Sequence, residues 1–373
     1  MTAPPAETLP PLPDPGELAP WFTAPTIDGN PNWVFSSVGG LVCLLYFYGS
    51  AAQPEAAAGL RSVAARRGLF DDQNIAFFGV TIDPTDANEQ RVAQQLPGIR
   101  HFLDFDRKVS TLYGACSAEA TQQVSYRPYF LLLDRTLQVV ARFAANEANA
   151  AIDAAEALAR VPRQDWAPVL EVPRILEPEI CAALVAGYRR GGAEPSGFMR
   201  EVDGKTRMVV DPGFKRRSDW HIANPALRGA LVARMRTRLL PAIKRAFQFE
   251  VTRVERYIVA RYAAGEGGFF RPHRDNTTKG TAHRRFAVTI NLNSGYSGGD
   301  LRFPEYGQRS YRAPVGGAIV FSCSLLHEAT PVTDGERFAF LPFLYDESGA
   351  ELREANNGYL GDEVAPYRAG KPD

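Results

Sequence analysis

Two histidines and one aspartate in the second half of the sequence have the types and spacing of a metal-binding triad. His273 and Asp275 lie two residues apart, and His327 follows 54 residues after His273 (327 − 273 = 54). Residues i and i+2 of a strand project to the same face, so the first two side chains can converge on one ion. Two imidazoles and one carboxylate fill one face of an octahedral Fe(II) ion and leave positions open for a chelating cosubstrate and dioxygen. An HxD triplet alone is equally compatible with a surface loop that binds no metal.

Arg337 adds a second chemical group to this pattern. It stands ten residues beyond His327 and opens the apolar run 338–341. If this strand faces the metal, the guanidinium can bind both oxygens of one carboxylate of a dicarboxylic acid whose other end chelates the ion. The alternative is an edge-strand arginine that meets solvent or a structural carboxylate.

The remaining histidines and a basic stretch of this half carry weaker signals. His221 and His283 have no carboxylate two residues further on, so we expect structural or solvent-exposed roles for them. The stretch Lys215-Arg216-Arg217 is interpreted as a solvated loop. An approach to the site for an acidic substrate is the alternative.

The first half of the chain alternates strands and helices. Apolar runs and amphipathic patterns predict strands at 41–48, 75–82, 129–134 and 139–144, and helices at 55–67, 88–95 and 149–158. Near-continuous apolar strands between helices indicate a largely parallel sheet that is covered on both faces. Pro162, Pro168 and Pro173 then break helical continuity, so we predict two domains, 1–165 and 166–373.

The second half opens with helices and continues with short strands. The helices are predicted at 177–189 and 225–247, and the strands at 253–262, 285–292, 300–303, 318–322 and 337–345. Helices followed by many short strands are typical of an antiparallel double-sheet jelly roll with flanking helices. The polar segment after Asp346 is predicted to be a surface wrap or partly disordered.

The composition of the chain argues against binding to nucleic acid, insertion into a membrane and secretion. Lys plus Arg and Asp plus Glu both total 42 among 373 residues, so no net field would draw the chain to nucleic acid or to an anionic membrane. The longest apolar run, Gly40 to Tyr48, is far shorter than a membrane helix of about 20 residues. The N-terminus lacks a secretory pattern, and the four cysteines are scattered. We therefore expect a soluble, cytoplasmic protein with reduced thiols.

Five ordered motifs in the second half carry a family resemblance. They are Arg261-Tyr262 with His273-Arg274-Asp275-Asn276, the strand 285–293, the hairpin 298–304, the run 317–321, and Leu326-His327-Glu328 with Gly335-Glu336-Arg337. Over roughly residues 172–345 the chain resembles the prolyl-hydroxylase-like 2-oxoglutarate and Fe(II)-dependent dioxygenases. The resemblance implies that the second half folds as a double-stranded β-helix, also called a jelly roll.

The resemblance implies a role for each candidate site residue. The triad would bind Fe(II), Arg337 would pair with the distal carboxylate of 2-oxoglutarate, and Tyr262 would hydrogen-bond this cosubstrate. Asn291 is a further candidate for the cosubstrate site. Tyr262 could instead pack with its hydroxyl at the surface, and Asn291 could cap a turn.

The implied activity is hydroxylation of an unactivated C–H bond with O2 as the oxidant and ascorbate as a supporting reductant. The expected substrate is a protein or peptide side chain such as proline. A free amino acid or a small biosynthetic intermediate is the alternative within enzymes. A non-catalytic binding or scaffold protein is the alternative outside them.

The first half resembles a peroxiredoxin or related thioredoxin-fold protein. The matching segments are 16–22, 44–48, 113–114 and 130–134. A peroxidase of this family needs a thiolate at the start of the helix after the first central strand, here near Ala56. The segment Gly49 to Gly59 contains no cysteine, and Cys43 falls within a strand pattern. We therefore predict an α/β domain without peroxidatic function.

Arg127 and Cys116 are the remaining candidate residues of the first domain. Arg127 matches the arginine that peroxiredoxins place beside the thiolate and is expected to be structural or to serve an anion pocket. Cys116 lies outside the family pattern in a loop. The domain could dock a protein partner, deliver substrate, form a dimer surface or stabilise its neighbour, and fold resemblance does not choose among these.

Overall fold

The computed structural model describes residues 9–27, 29–117, 124–162 and 165–370. The chain forms two units, residues 1–164 with 304–307 and residues 165–303 with 308–373. Residues 163 and 164, beside the predicted domain boundary, lie outside the described residues. Within the described ranges, no helix has both the length and the apolar composition needed to cross a membrane.

The described part of the first unit contains seven strands. Five of them form a central sheet with helices packed against it, and the first two strands form a separate pair. The strands of this unit are β1 (Thr23–Ala24), β2 (Trp33–Val34), β3 (Val42–Gly49), β4 (Ile75–Thr81), β5 (Ile99–Leu103), β6 (Tyr129–Leu133) and β7 (Val139–Ala144), and its helices are α1 (Pro54–Ala65), α2 (Pro84–Asn88), α3 (Lys108–Leu112) and α4 (Ala148–Arg160). The order in the central sheet is β5-β4-β3-β6-β7. Strands β3, β4 and β5 are mutually parallel, whereas β6 runs antiparallel to both of its neighbours, β3 and β7. This is the thioredoxin-like architecture.

The apolar sequence of β3 explains why this strand is central. All eight of its residues are buried. Leu44 and Tyr46 pack with α1 and α4 on one face of the sheet, while Leu45 and Phe47 pack in a second cluster on the other face. Each fully buried side chain of this size contributes about 1.5–3 kcal/mol to folding. A strand buried on both faces needs this continuous apolar run.

One expectation for the first unit was wrong. No helix forms at 88–95, because the helix starts earlier, at Pro84 with Asp83 capping it, and Gln90 adopts a positive φ of 53°. The unpredicted strand β5 follows. The sheet is largely parallel in strand direction, as predicted, with one exception: β6 runs antiparallel to its neighbours β3 and β7, whereas β7 runs in the same direction as β3, β4 and β5.

The second unit is a double-stranded β-helix with flanking helices. Its strands are β8 (Leu170–Val172), β9 (Glu194–Pro195), β10 (Phe198–Val202), β11 (Lys205–Val209), β12 (Lys215–Arg216), β13 (Ser218–His221), β14 (Arg253–Glu255), β15 (Ile258–Ala263), β16 (Phe269–His273), β17 (Phe286–Asn291), β18 (Ser297–Gly298), β19 (Leu301–Arg302), β20 (Ser310–Tyr311), β21 (Ala318–Ser322), β22 (His327–Ala329), β23 (Val332–Asp334), β24 (Glu336–Phe340) and β25 (Phe343–Tyr345). The major sheet contains β14-β25-β17-β24-β15-β13-β9 with β21 and β8, and the minor sheet is β12-β16-β22-β19-β20.

The helices of this unit support the major sheet. They are α5 (Pro178–Arg189), α6 (Pro225–Arg234), a π-helical segment (Met235–Leu239), α7 (Leu240–Phe247) and α8 (Glu347–Ala355). Leu184 of α5, Leu231 of α6 and Ile243 of α7 are fully buried in one cluster with Val288 and Phe340 of the sheet. The apolar stripe predicted for 225–247 therefore faces the sheet. This packing leaves the opposite face of the major sheet for the interior of the β-helix.

Three local features differ from the sequence prediction. The predicted strand 253–262 is divided at Arg256, which has a positive φ of 69°. The predicted strand 337–345 is divided next to Pro342, which has no amide hydrogen to donate. The segment after Asp346 lies largely at the surface, as one of its two predicted states required, but it begins with the unpredicted helix α8, which Asp346 caps and in which Gly349 and Ala350 are buried.

Candidate metal centre

The structure brings the three triad side chains together at one end of the minor sheet. His273 ends β16, His327 begins β22, and the two are cross-strand partners. Asp275 follows β16 by two residues. The Nε2 atom of His273 lies 3.6 Å from Asp275 Oδ1, and that of His327 lies 3.4 Å from Asp275 Oδ2. One ligand atom from each of the three residues lies within 4.8 Å of the other two.

Hydrogen bonds to the main chain fix the tautomers of both imidazoles. His273 Nδ1 lies 2.7 Å from the carbonyl oxygen of Arg271, and His327 Nδ1 lies 3.0 Å from that of Leu325. A carbonyl oxygen only accepts, so each Nδ1 carries the proton and each Nε2 presents its lone pair. Two lone pairs and a carboxylate thus converge on one point. This donor set fits a divalent cation that takes imidazole and carboxylate ligands.

The surroundings favour the protonation states that bind a metal. Burial lowers the pKa of His327 to about 4, and His273 pushes that pKa in the same direction. Burial alone would raise the pKa of Asp275, but the two histidines and Arg284 hold it well below its usual range. At neutral pH the site therefore contains neutral His327 and an ionised carboxylate, as metal binding requires.

The loop after β16 is held by an ion pair at its far end. Arg284 donates from Nε and Nη2 to the two carboxylate oxygens of Glu255 at 2.9 and 2.6 Å, and from Nη1 to the carbonyl oxygen of Asp275 at 3.3 Å. His283 Nε2 lies 2.8 Å from the same glutamate. The amide of Asp275 donates to the carbonyl of Cys323. These contacts fix the backbone on both sides of the aspartate.

Arg337 lies in the interior of the β-helix. It is 4% exposed, in β24 directly opposite Tyr262 of β15. Its Nη2 donates to Thr289 Oγ1 at 2.9 Å and to Asn291 Oδ1 at 3.5 Å. Among the described residues no carboxylate lies within ion-pair distance of this guanidinium. The alternative of an edge arginine that meets solvent or a structural carboxylate does not match this geometry.

Tyr262 and Asn291 are both buried next to Arg337. Tyr262 is 3% exposed, and the guanidinium carbon of Arg337 lies 5.4 Å from its ring centroid. Its hydroxyl accepts a hydrogen bond from Arg217 Nη1 at 3.3 Å, so it is not at the surface. The Asn291 amide donates to the carbonyl of Ala313 at 2.6 Å, which uses part of its capacity for structural bonding.

The prediction that the basic stretch 215–217 is a solvated loop was wrong. Lys215 is 4% exposed and lies in β12, which pairs with β16; Arg217 is 9% exposed and lies between β12 and β13, and β13 pairs with β15. The sequence carried a signal for this arrangement, because Lys215, Arg217 and Asp219 alternate as residues on one strand face do. His283 is buried against Glu255 and His221 is exposed, as structural and solvent roles require.

The thiols and Arg127 of the first unit are not arranged for catalysis. Cys43 is fully buried in β3, and burial raises the pKa of its thiol far above the usual range. Cys116 is buried as well, and desolvation also raises its pKa. Ala56 occupies the third position of α1. Arg127 Nη2 donates to the carbonyls of Pro10 at 2.6 Å and Gly114 at 2.8 Å, so this arginine anchors the main chain.

Comparison with known protein families gives one match for each unit. Residues 257–345 match the family model described as the 2OG-Fe(II) oxygenase superfamily, and residues 15–142 match the AhpC/TSA family. A PKHD-type hydroxylase from Hyphomonas neptunium is 31% identical over 114 residues, covering 29% of this chain and 49% of that protein. One from Paracoccus denitrificans is 37% identical over 83 residues, covering 20% of this chain and 37% of that protein.

A solved structure aligns with part of the chain. A Pseudomonas putida prolyl-4-hydroxylase aligns with 20% identity and a TM-score of 0.38, covering 48% of this chain and 91% of that chain. The chain spans about half the length, or less, of the curated relatives it matches.

Proposed function

We propose that this chain, whose second half carries a 2OG-Fe(II) oxygenase domain and whose first half carries an AhpC/TSA thioredoxin-like domain, is a 2-oxoglutarate- and Fe(II)-dependent dioxygenase. It hydroxylates an unactivated C–H bond. In the overall reaction one oxygen atom of O2 enters succinate and the other becomes the new hydroxyl group, while 2-oxoglutarate loses CO2. The observation that carries the proposal is the convergence of His273, Asp275 and His327 in one unit with a buried arginine, Arg337, that has no carboxylate partner among the described residues.

In this proposal the triad holds Fe(II) by two Nε2 atoms and one carboxylate. When bound, the ion supplies the redox chemistry with dioxygen that protein side chains lack. The chain itself supplies position and electrostatics. The main-chain bonds to His273 and His327 keep their lone pairs directed inward, and no side chain has to act as a nucleophile or general base.

The cosubstrate 2-oxoglutarate binds with its distal carboxylate on Arg337. A planar guanidinium can donate two parallel hydrogen bonds to one carboxylate, and Thr289 and Asn291 orient it from one side. Tyr262 closes the opposite side and offers its hydroxyl as a further hydrogen-bonding group. Asn291 contributes to cosubstrate binding mainly by accepting a hydrogen bond from Arg337 and so orienting its guanidinium. Ascorbate would serve as the supporting reductant.

We propose a protein or peptide side chain such as proline as the substrate, supported by the motif resemblance to prolyl-hydroxylase-like enzymes and by similarity to PKHD-type hydroxylases. Hydroxylation of a free amino acid or small intermediate is the second candidate. The thioredoxin-like domain serves as a docking module for a protein partner, since it retains its fold without a reactive thiol. Four free cysteines support a reducing, cytoplasmic location.

The test is succinate formation from 2-oxoglutarate by the full chain with Fe(II) and ascorbate under air. Wild type is expected to form succinate, while His273→Ala, Asp275→Ala and Arg337→Ala are expected to lose at least about 100-fold of this rate. His221→Ala is the matched control, because this histidine is exposed in the same unit. Equal rates in wild type and His273→Ala, or failure of wild type to bind both Fe(II) and 2-oxoglutarate, would favour a non-catalytic scaffold.

A further inference from the structure

Lys215 is buried inside the β-helix with most of its hydrogen-bonding capacity unused. It lies in β12 opposite Phe270 of β16, and its Nζ is 4.7 Å from the centroid of that ring. A protonated lysine has three hydrogens to donate. Its one hydrogen bond within the described residues goes to the carbonyl oxygen of Gly197, at 2.6 Å.

The neighbouring charges compensate this ammonium group only in part. Arg217 lies two residues along and already pairs with Asp219 at 2.7 Å. In the part of the chain that the structure describes, no carboxylate lies within ion-pair distance of Lys215. Burial and Arg217 lower the pKa of Lys215 well below its usual range, against the weaker opposing effect of Asp219. Burial of a charge without an ion-pair partner is unfavourable and calls for a functional explanation.

The position of Lys215 relative to the triad gives that explanation. The Phe270 ring, which the lysine contacts, stacks on the imidazole of His273 with centroids 3.5 Å apart. Phe270 also packs in one cluster with Tyr262. The lysine therefore lies on the same interior surface as the metal and cosubstrate sites, one aromatic ring away from a metal ligand.

Arg337 and Lys215 are separate cationic positions. Arg337 contacts Thr289 and Asn291 of the major sheet, whereas Lys215 contacts the minor-sheet strand β16. In the proposed function, the dicarboxylate cosubstrate would use one end on the metal and the other on Arg337. It would therefore leave Lys215 without a carboxylate partner among the described residues.

We propose that Lys215 is a specificity-determining residue that binds a carboxylate of the substrate, so that this enzyme hydroxylates substrates with an anionic group close to the reacting carbon. The inference rests on the proposed function. The carboxylate can come from an acidic residue beside the target in a peptide or from the α-carboxylate of a free amino acid. Both sources present the same chemistry to the lysine.

The experiment measures binding to the full chain loaded with Fe(II) and 2-oxoglutarate under nitrogen, where no turnover occurs. The peptide probes are two mixtures of proline-centred hexapeptides, identical except that one has Glu where the other has Gln. The small-molecule probes are N-acetylproline and N-acetylprolinamide. We expect at least a tenfold preference for the carboxylate form in one pair, and the responding pair identifies the source.

The substitution Lys215→Met should reduce this preference to about one. Lys205→Met is the matched control, because Lys205 also donates to a main-chain carbonyl, that of Gly358, but is exposed on β11; its preference should equal that of wild type. Absence of a preference in wild type, absence of binding by every probe, or a preference that survives Lys215→Met would overturn the proposal.

Thermal unfolding of the metal-free chain separates a binding role from a structural one. Because the variant removes an uncompensated buried charge, Lys215→Met should unfold at the same or a higher temperature than wild type. A lower midpoint would show that the lysine is structural and would overturn the inference. If wild type forms no succinate, the proposed function itself is rejected, independently of the role of Lys215.

Discussion

Arg284 and Glu255 form a two-point ion pair in the interior of the second unit, and the same arginine donates to the carbonyl oxygen of Asp275. Glu255 also contacts His283. The pair therefore connects β14 to the loop that carries the carboxylate of the triad. Groups that orient a metal ligand typically change metal affinity by about 10- to 100-fold when they are altered.

The first prediction concerns this ion pair. Arg284→Lys keeps the positive charge but cannot donate to both oxygens of Glu255 and to Asp275 at once, so Fe(II) affinity should fall about tenfold. Equilibrium titration with Fe(II) under nitrogen measures this effect. Arg100→Lys is the control, because Arg100 forms the same two-point pair with Asp72 in the first unit. Unchanged affinity in Arg284→Lys, with a lower unfolding temperature, would assign the pair to stability alone.

The second prediction concerns Arg337. Arg337→Gln removes the charge that faces the distal carboxylate, and a charge-assisted hydrogen bond contributes about 1.5–3 kcal/mol. KM for 2-oxoglutarate should therefore rise about 10- to 100-fold, while Fe(II) affinity stays constant. Arg189→Gln is the control, since this arginine contacts Glu336 in the adjacent position of β24 but is largely exposed. An unchanged KM would remove Arg337 from the cosubstrate site.

The third prediction concerns the pH dependence of the first unit. His101 is buried beside Tyr48, and burial lowers its pKa from 6.5 to about 4. The unfolded chain then binds the proton more tightly, so stability is complete above about pH 6.5 and declines as pH falls toward 4. At about 1.4 kcal/mol per pKa unit the decline is about 3 kcal/mol. Denaturant unfolding between pH 7 and 4 should show it, and His101→Gln should have a shallower slope. Equal slopes would contradict this role.

The fourth prediction concerns the thiols. All four cysteines are buried and unpaired, and burial raises the pKa of Cys181 to about 11. A thiol that is neither exposed nor ionised reacts slowly. The folded chain should therefore resist both a disulfide reagent and dilute peroxide, and all four thiols should react after unfolding in urea. Rapid loss of the Cys43 or Cys116 thiol in the folded state, located by peptide mapping, would revive a redox function for the first domain.

The element types of the central strands and main helices followed directly from the sequence. The apolar run at β3, the alanine-rich α4 and the amphipathic pattern at 225–247 each reflect burial along a single segment. Such burial leaves a periodic trace in the residues themselves. The candidate metal-binding triad could also be predicted from the sequence, because two of its members, His273 and Asp275, lie in one segment.

The failures had two causes: single residues that set the boundaries of an element, and contacts between segments far apart in the chain. Asp83 moved a helix start, Arg256 and Pro342 divided strands, and α8 formed in a segment with no clear apolar period. The buried state of Lys215 depends on β16, which follows more than fifty residues later. A charged residue looks solvated in sequence until the strand that covers it is known.

The sequence by itself therefore determined the two architectures, the chemical types of the triad and Arg337, and the absence of a cysteine at the peroxidatic position. Only the tertiary structure decided that His273 and His327 are cross-strand partners with inward lone pairs, that Arg337 has no carboxylate partner among the described residues, and that Lys215 lies beside Phe270. The physical reason is that residue type and local period are properties of one segment. Desolvation, hydrogen-bond geometry and charge compensation are set by contacts between segments far apart in the chain.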